Sequence, residues 1–385
     1  MNQGFAPRFA RTPFTWLAYG LLAYFAFLQA AWGPIMPFLR QELSLSYGVG
    51  GLHATAFAAG MLLSGIASDR LAPRFGRRRL LWAGGGGMAC AAILLVGAGQ
   101  VYVTLAAALI AGICGTSLLI MVQAGLARQH GPSRTIAIAE ANIAASLGYG
   151  LVPLAVGGLE LFGVGWRAAL LLAVIGWLAL FAAGRRIAFP VGDDESSAAE
   201  HGRLPASFWA AWAALVLAVA AEWSVALWAP DFLIQATNIA PAFASIATAI
   251  FAASGIVGRL IVSRLARRYA PPAMLIVSLG VAVLGAALLW LAPNAYLVLL
   301  GLSLTGLGIA NAYPLGVAVA LQTAGGQVDR ASARASSGAA VAILVAPQTL
   351  GVAADSVGIT SAFGIVAVLA ACALMLNLLV GRVTS

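Results

Sequence analysis

Lysine is absent from these 385 residues, and charge of either sign is scarce, with 9% of side chains charged against 62% hydrophobic. So little polar surface cannot cover a water-soluble globule of this length, which excludes a soluble enzyme. Without lysine no GxxxxGK[ST] phosphate loop exists, and no HExxH or paired-cysteine cluster occurs, so neither ATP-driven work nor metal catalysis finds support and no cofactor is expected. The three cysteines, Cys90, Cys114 and Cys372, lie far apart in apolar runs and read as small core hydrophobes.

Long apolar runs fill the chain instead. They fall at about 14–39, 49–68, 79–98, 101–126, 135–159, 167–184, 207–233, 241–263, 273–292, 295–321, 335–354 and 358–381. Each is long enough, or nearly so, to cross a bilayer as a helix, which predicts an all-α polytopic membrane protein of twelve spans. The first run is too long for the apolar part of a signal peptide and is expected to be retained. A net charge of +9 would suggest nucleic acid in a soluble protein, but here the arginines sit between apolar runs and report orientation. With both termini in the cytoplasm, eighteen arginines fall inside and only Arg40 and Arg167 outside, with Arg259 within the membrane. The segment 185–206 is the one long polar stretch and reads as a cytoplasmic linker between a six-helix unit at 14–184 and another at 207–381. Its acidic run, Asp193, Asp194 and Glu195, reads as a solvated tether rather than a metal site.

The two units repeat each other. FAAGMLLSGIASDR at 57–70 aligns with GIVGRLIVSRLARR at 255–268 by a shift of 198, WGPIMPFL from Trp32 with WAPDFL from Trp228 by 196, and Pro153 with Pro347 by 194. Near-equal offsets in sequence order argue for two homologous halves in parallel repeat, a design that places a solute site near mid-membrane between them. The string GIASDRLAPRFGRRR at 65–79 resembles the signature loop between the second and third helices of the major facilitator superfamily, G-x-x-x-D-R-x-G-R-R, with extra residues between Asp69-Arg70 and Gly76-Arg77-Arg78. The resemblance implies two six-helix bundles that alternate access to a central cavity. It also implies that Gly65, Asp69, Arg70, Arg77 and Arg78 form a conformational latch; the plainer alternative is that the arginines only satisfy positive-inside topology. GYGLVPLAVGG at 148–158 departs in spacing from the fifth-helix motif of the superfamily's antiporters, which argues against an exporter.

Arg259 lies inside span eight, four to five residues from its cytoplasmic end. An intramembrane arginine faces a cavity or a partner, or snorkels to the interface. Anion carriers of the superfamily hold substrate with an arginine at about this place, and a guanidinium fork suits a carboxylate. Glu222 lies mid-span in helix seven; desolvation disfavours the charged carboxylate, as a proton carrier requires, and a structural hydrogen bond is the plainer reading. Glu140 is expected to pair with Arg128 or Arg134 at a cytoplasmic gate, with a proton site as the alternative. Gln29, Trp32, Tyr149, Asn311, Tyr313 and Gln348 sit at depths suited to lining a solute site, although any one of them can be helix-to-helix glue. Glu160, Asp231 and Asp355 fall at outer helix ends and are expected to be solvated, with Asp231 after Pro230 as a gate cap; His53 is expected at the outer interface, with a pH-sensing role as the alternative.

The expected activity is proton-coupled transport of a small, monocarboxylate-like organic anion by a monomer in a bacterial-type inner membrane, with the proton gradient as energy source. A proton-driven exporter of amphipathic compounds and a non-transporting scaffold or sensor are the alternatives. Neither substrate nor direction is written in the residues.

Overall fold

The computed structural model describes residues 9–190 and 203–384, apart from the side chains of Asp69, Asp329 and residues 381–384. Arg8, the acidic run at 193–195 and the Asp69 carboxylate therefore lie outside the described residues. Eleven stretches are long and apolar enough to cross a bilayer, and one of them, Val101–Leu161, has 61 residues. As a single helix it would run about 90 Å, some three times the hydrocarbon thickness. It divides instead at Gly131, whose φ of 46° and ψ of −114° lie in a region open mainly to glycine. Twelve spans result among the described residues, with no strand.

In the first half these are span 1 (Pro13–Leu43), span 2 (Tyr47–Phe75), span 3 (Arg77–Gly97), span 4 (Val101–His130), span 5 (Arg134–Leu161) and span 6 (Arg167–Gly184). In the second half they are span 7 (Ala206–Thr237), span 8 (Pro241–Leu265), span 9 (Pro271–Leu291), span 10 (Ala295–Gln322), span 11 (Val328–Val357) and span 12 (Ile359–Ala362 with Gly364–Thr384). Starts follow local chemistry. The Thr12 hydroxyl accepts from Thr15 N at 3.2 Å ahead of Pro13, Ser46 caps span 2, and the Asn294 carboxamide accepts from Leu297 N at 3.0 Å. The helices outrun their apolar cores. The stretch 69–75, read from sequence as loop, continues span 2, and the turn shrinks to Gly76 at φ 82°.

Lipid supplies no hydrophobic drive between helices, so close packing of small residues holds spans together. A Cβ at Gly112 would lie 2.1 Å from the Phe57 carbonyl oxygen, and one at Gly60 would lie 2.4 Å from that of Leu109, which fixes spans 2 and 4 against each other. Outward-facing Ile66, Ile93, Ile175, Val277, Leu284 and Val368 are exposed, as a lipid-facing perimeter requires. Cys90 is exposed too, so only Cys114 and Cys372 pack even partly inside.

The halves meet along spans 2 and 11, 1 and 7, and 5 and 8. Much of that contact gathers at the end away from the termini. There Arg40 pairs with Asp231, with side chains 16% and 5% exposed, and its guanidinium carbon stands 3.4 Å from the Tyr47 ring centroid. Asp355, on span 11, accepts from the backbone N–H groups of Tyr47 and Gly48 at 2.7 and 2.8 Å, capping span 2 from the opposite half. Ser245 Oγ donates to Pro34 O at 2.8 Å.

These contacts correct the expectation of solvation for Asp231 alone; the other two outer carboxylates are bonded without being buried. Asp231 is buried in an ion pair, Asp355 is exposed but bonded to two amides, and Glu160 accepts from Trp166 N at 2.8 Å. The far ends of the two halves abut, so Asp231 and Asp355 find donors across the seam, whereas Glu160 is met by an amide six residues on in its own half. His53 is likewise fully buried, with its ring nitrogens 3.0 Å from Gly50 O and 2.7 Å from Thr104 Oγ1.

Candidate functional site

Prolines open the backbone where the halves face each other. Pro34, Pro153 and Pro230 each lack the N–H that would pair with the carbonyl four residues earlier, in Ala30, Tyr149 and Ala226. All three of those residues line one small space between the halves, together with Val225, Ala229, Thr248 and Phe251. Non-helical backbone at membrane depth is tolerated where it lines a cavity or is buried in protein. Spans 1, 8 and 10 are also interrupted, at Ala31, Thr248 and Ala310–Asn311.

Arg259 is anchored by the last of these breaks. Pro314 deprives Ala310 C=O of its helical donor, and Arg259 Nε turns toward that oxygen at 3.4 Å. Nη1 donates across the seam to Ser146 Oγ, on span 5, at 2.8 Å. The residue is exposed, so the guanidinium is neither buried in protein nor spent on an acidic partner among the described residues. Glu222, one turn from Val225 on span 7, and Tyr149, on span 5, are both close enough to interact electrostatically with Arg259 and with each other. Glu222 makes no ion pair with Arg259. A cation with free donors, an acid and a phenol are thus gathered from spans 5, 7 and 8. Beside them Trp223 stacks on Phe57 across the seam, ring centroids 6.4 Å apart.

The remaining lining candidates divide. Asn311 is 2% exposed, next to the Ala310 carbonyl, and its Nδ2 finds no partner among the described residues. Gln348 Oε1 is also buried and without a partner, close against Gly51 at the seam of spans 2 and 11. Gln29 is half-buried and Tyr313 is exposed. Trp32 turns the other way. It packs against His53 at 5.8 Å between ring centroids and lines a void inside the first half with Leu28, Met88, Leu95 and Leu170, so it does not wall the space between the halves.

Glu140 takes partners other than those expected. Its carboxylate accepts from Arg11 at 2.5 and 2.7 Å and from the Tyr19 hydroxyl at 2.7 Å. Spans 1 and 5 belong to the same half, so these bonds tie one bundle together rather than close a gate between two. Arg78 donates to Arg185 O, again within the first half; Arg70 is exposed; and a Cβ on Gly65 would meet no atom within 4 Å. Arg77 and Arg128 are half-buried.

Ser146, Arg40 as the partner of Asp231, and the bonding of Asp355 to the start of span 2 are not foreseen by sequence, although Asp231 after Pro230 is read there as a gate cap. Ser146 had a faint signal, three residues before Tyr149 and four after Asn142 on one helical face. The pairing of Arg40 with Asp231 had little, since 191 residues separate them.

The family model described as Major Facilitator Superfamily matches residues 15–230 and 211–384. Among solved structures, the chain is similar to a bacterial homologue of the human lysosomal transporter Spinster in an inward-facing and occupied conformation, with 14% identity, TM-score 0.77 and coverage of 95% of this chain and 96% of that one. It is similar to the nucleoside transporter NupG, with 15% identity, TM-score 0.71 and coverage of 96% and 98%. It also resembles the peptide transporter POT in complex with sulfate, with 14% identity, TM-score 0.77 and coverage of 98% and 96%. No curated protein matches the sequence.

Proposed function

The chain belongs to the Major Facilitator Superfamily, a multi-pass membrane transporter and not an enzyme, and on that premise we propose that it carries a small organic anion together with a proton. One observation carries the reading: Arg259 stands between the halves with its charge unpaired by any described carboxylate, while Glu222 lies within electrostatic reach but apart. An arginine is costly in a membrane, about 2.5–3.5 kcal/mol on insertion scales, and an anionic solute offsets that cost through two parallel charge-assisted bonds.

Glu222 takes the proton. When it is protonated, the site's charge is that of Arg259 alone and an anion binds; when it is ionised, it competes for the guanidinium and the anion leaves. Binding of the two is thereby coupled with a favourable sign. Tyr149 and Asn311 add hydrogen bonds to the solute from spans 5 and 10. Alternating access follows from rocking of the unit at 14–184 against that at 207–381, joined by the linker at 185–206, with Asp69 and its neighbouring arginines latching the end nearer the termini. Both termini lie in the cytoplasm of a bacterial-type cell, the protein sits in the inner membrane as a monomer, and the proton gradient supplies the energy.

The test is uptake of radiolabelled mono- and dicarboxylates into proteoliposomes, with and without a proton gradient, for the native protein, Arg259→Gln and Glu222→Gln. Gradient-driven uptake that Arg259→Gln abolishes supports the reading, and Glu222→Gln is expected to keep anion exchange while losing the response to the gradient. If no anion moves, or Arg259→Gln moves it equally well, Arg259 is an interfacial anchor and export of amphipathic compounds becomes the better reading.

A further inference from the structure

Ser146 is the residue on which Arg259 rests across the seam. Its hydroxyl donates to Asn142 O at 2.8 Å, one turn back in span 5, which leaves its oxygen to accept from Arg259 Nη1 at 2.8 Å. The proton is committed along the helix, so the oxygen faces the guanidinium as an acceptor. With Nε turned to Ala310 O, the donors on Nη2 and the second on Nη1 are left for an anion. The bond to Ser146 is made wholly from the chain's own atoms, and it joins span 5 of one half to span 8 of the other.

A carrier that moves net solute must reorient once with it and once without. On the return Glu222 is ionised and balances part of the Arg259 charge from within the same half, without an ion pair. An arginine that lacks both anion and cross-seam partner then leaves donors unbonded in a closing, low-dielectric cavity. We propose that Ser146 is the partner Arg259 keeps when no anion is bound, and that this bond sets how readily the unloaded transporter reorients. The proposal rests on the reading of Arg259 as the anion ligand. Ser146 is a positioning residue here: it acts through the guanidinium, and its weight falls once an anion meets that charge. Its loss therefore separates two fluxes that loss of Arg259 abolishes together. Net uptake needs the unloaded return, whereas exchange of one anion for another does not.

The experiment compares native protein, Ser146→Ala and Ser146→Thr in proteoliposomes, with radiolabelled lactate, pyruvate and succinate as probes. Each variant is read for net uptake under a proton gradient and for exchange of labelled against unlabelled anion at equal pH. Ser146→Ala is expected to slow net uptake about tenfold, the scale of one hydrogen bond to a charged group, and to leave exchange within about twofold. Near-native exchange also establishes that the variant is folded. Ser146→Thr restores the hydroxyl and is expected to recover net uptake. Equal loss of both fluxes, or loss of neither, overturns the role of Ser146 while the need for Arg259 stands. Failure of the native protein to move any of the three probes, or full activity of Arg259→Gln, overturns the anion reading itself and the role of Ser146 with it.

Discussion

Replacing Asp231 by Asn tests whether the end away from the termini is held shut by charge. The pair it forms with Arg40 is largely shielded, with side chains 16% and 5% exposed, so water screens it little. Removing one partner of a buried pair costs about 3–5 kcal/mol, but two features lower the figure here. Asn keeps an oxygen that can still accept from Arg40. The pair is also only half satisfied at the outset, since Arg40 Nε and Asp231 Oδ2 are buried without partners among the described residues. What is lost is the difference between a charged and a neutral acceptor, about 1.5–3 kcal/mol once the poor solvation of Arg40 is included, or roughly 10- to 150-fold in the ratio of closed to open far ends. Ala229, 3% exposed and lining the space beneath that gate, supplies the reporter. In a background with Cys90, Cys114 and Cys372 changed to serine, Ala229→Cys is alkylated by a membrane-impermeant maleimide presented at the far end. Asp231→Asn is expected to raise the rate at least tenfold, and the swap of Arg40→Asp with Asp231→Arg to bring it back toward native. A rate that stays within twofold of native in Asp231→Asn refutes the reasoning: closure then rests on packing of spans 1, 2, 7 and 11, and the ion pair is incidental.

Asp355→Ala removes the acceptor for the Tyr47 and Gly48 amides, a cap worth about 0.5–2 kcal/mol, and should raise Ala229→Cys labelling by a smaller factor than Asp231→Asn does. Gly148→Ala places a Cβ 2.2 Å from the Ala23 carbonyl oxygen and forces spans 1 and 5 apart; a cost of about 1–3 kcal/mol is expected as a lower melting temperature of the detergent-solubilised protein. Glu140→Gln is expected to change melting less than Gly148→Ala, because its partner Arg11 has a side chain 46% exposed and the bonds stay within one half; a large loss would show that spans 1 and 5 depend on that carboxylate.

Much of the architecture was legible because the bilayer leaves few choices. A chain with this little charge can satisfy its backbone in lipid only as helices, and arginines between apolar runs mark where each helix leaves the membrane. Span ends were less legible, since helices such as span 2 run past the apolar core into water, where hydropathy carries no signal and only Gly76 marks the stop. In the candidate site, Arg259, Glu222 and Tyr149 announced themselves as polar groups at depth, and the structure brings those three together. Trp32 did not fit because hydropathy gives depth along a helix but not the direction around it. With Gln29 only three residues away, the indole nevertheless turns into the first half toward His53. The seam was least legible. Arg40 and Asp231 are each a single charge at a helix end, and a solvated end and a buried gate look alike until two halves are brought together. The only local hint is that the two charges stand toward the far ends of the repeated spans 1 and 7, although the shift of 196 sets Arg40 on Ala236 and Asp231 on Ile35 rather than on each other. That hint separates the two kinds of residue this fold needs. Depth identifies groups that meet a solute, because a charge in lipid requires a reason. Opposite charges on the matching ends of repeated helices identify groups that meet each other, and those are the contacts that must break for the far end to open.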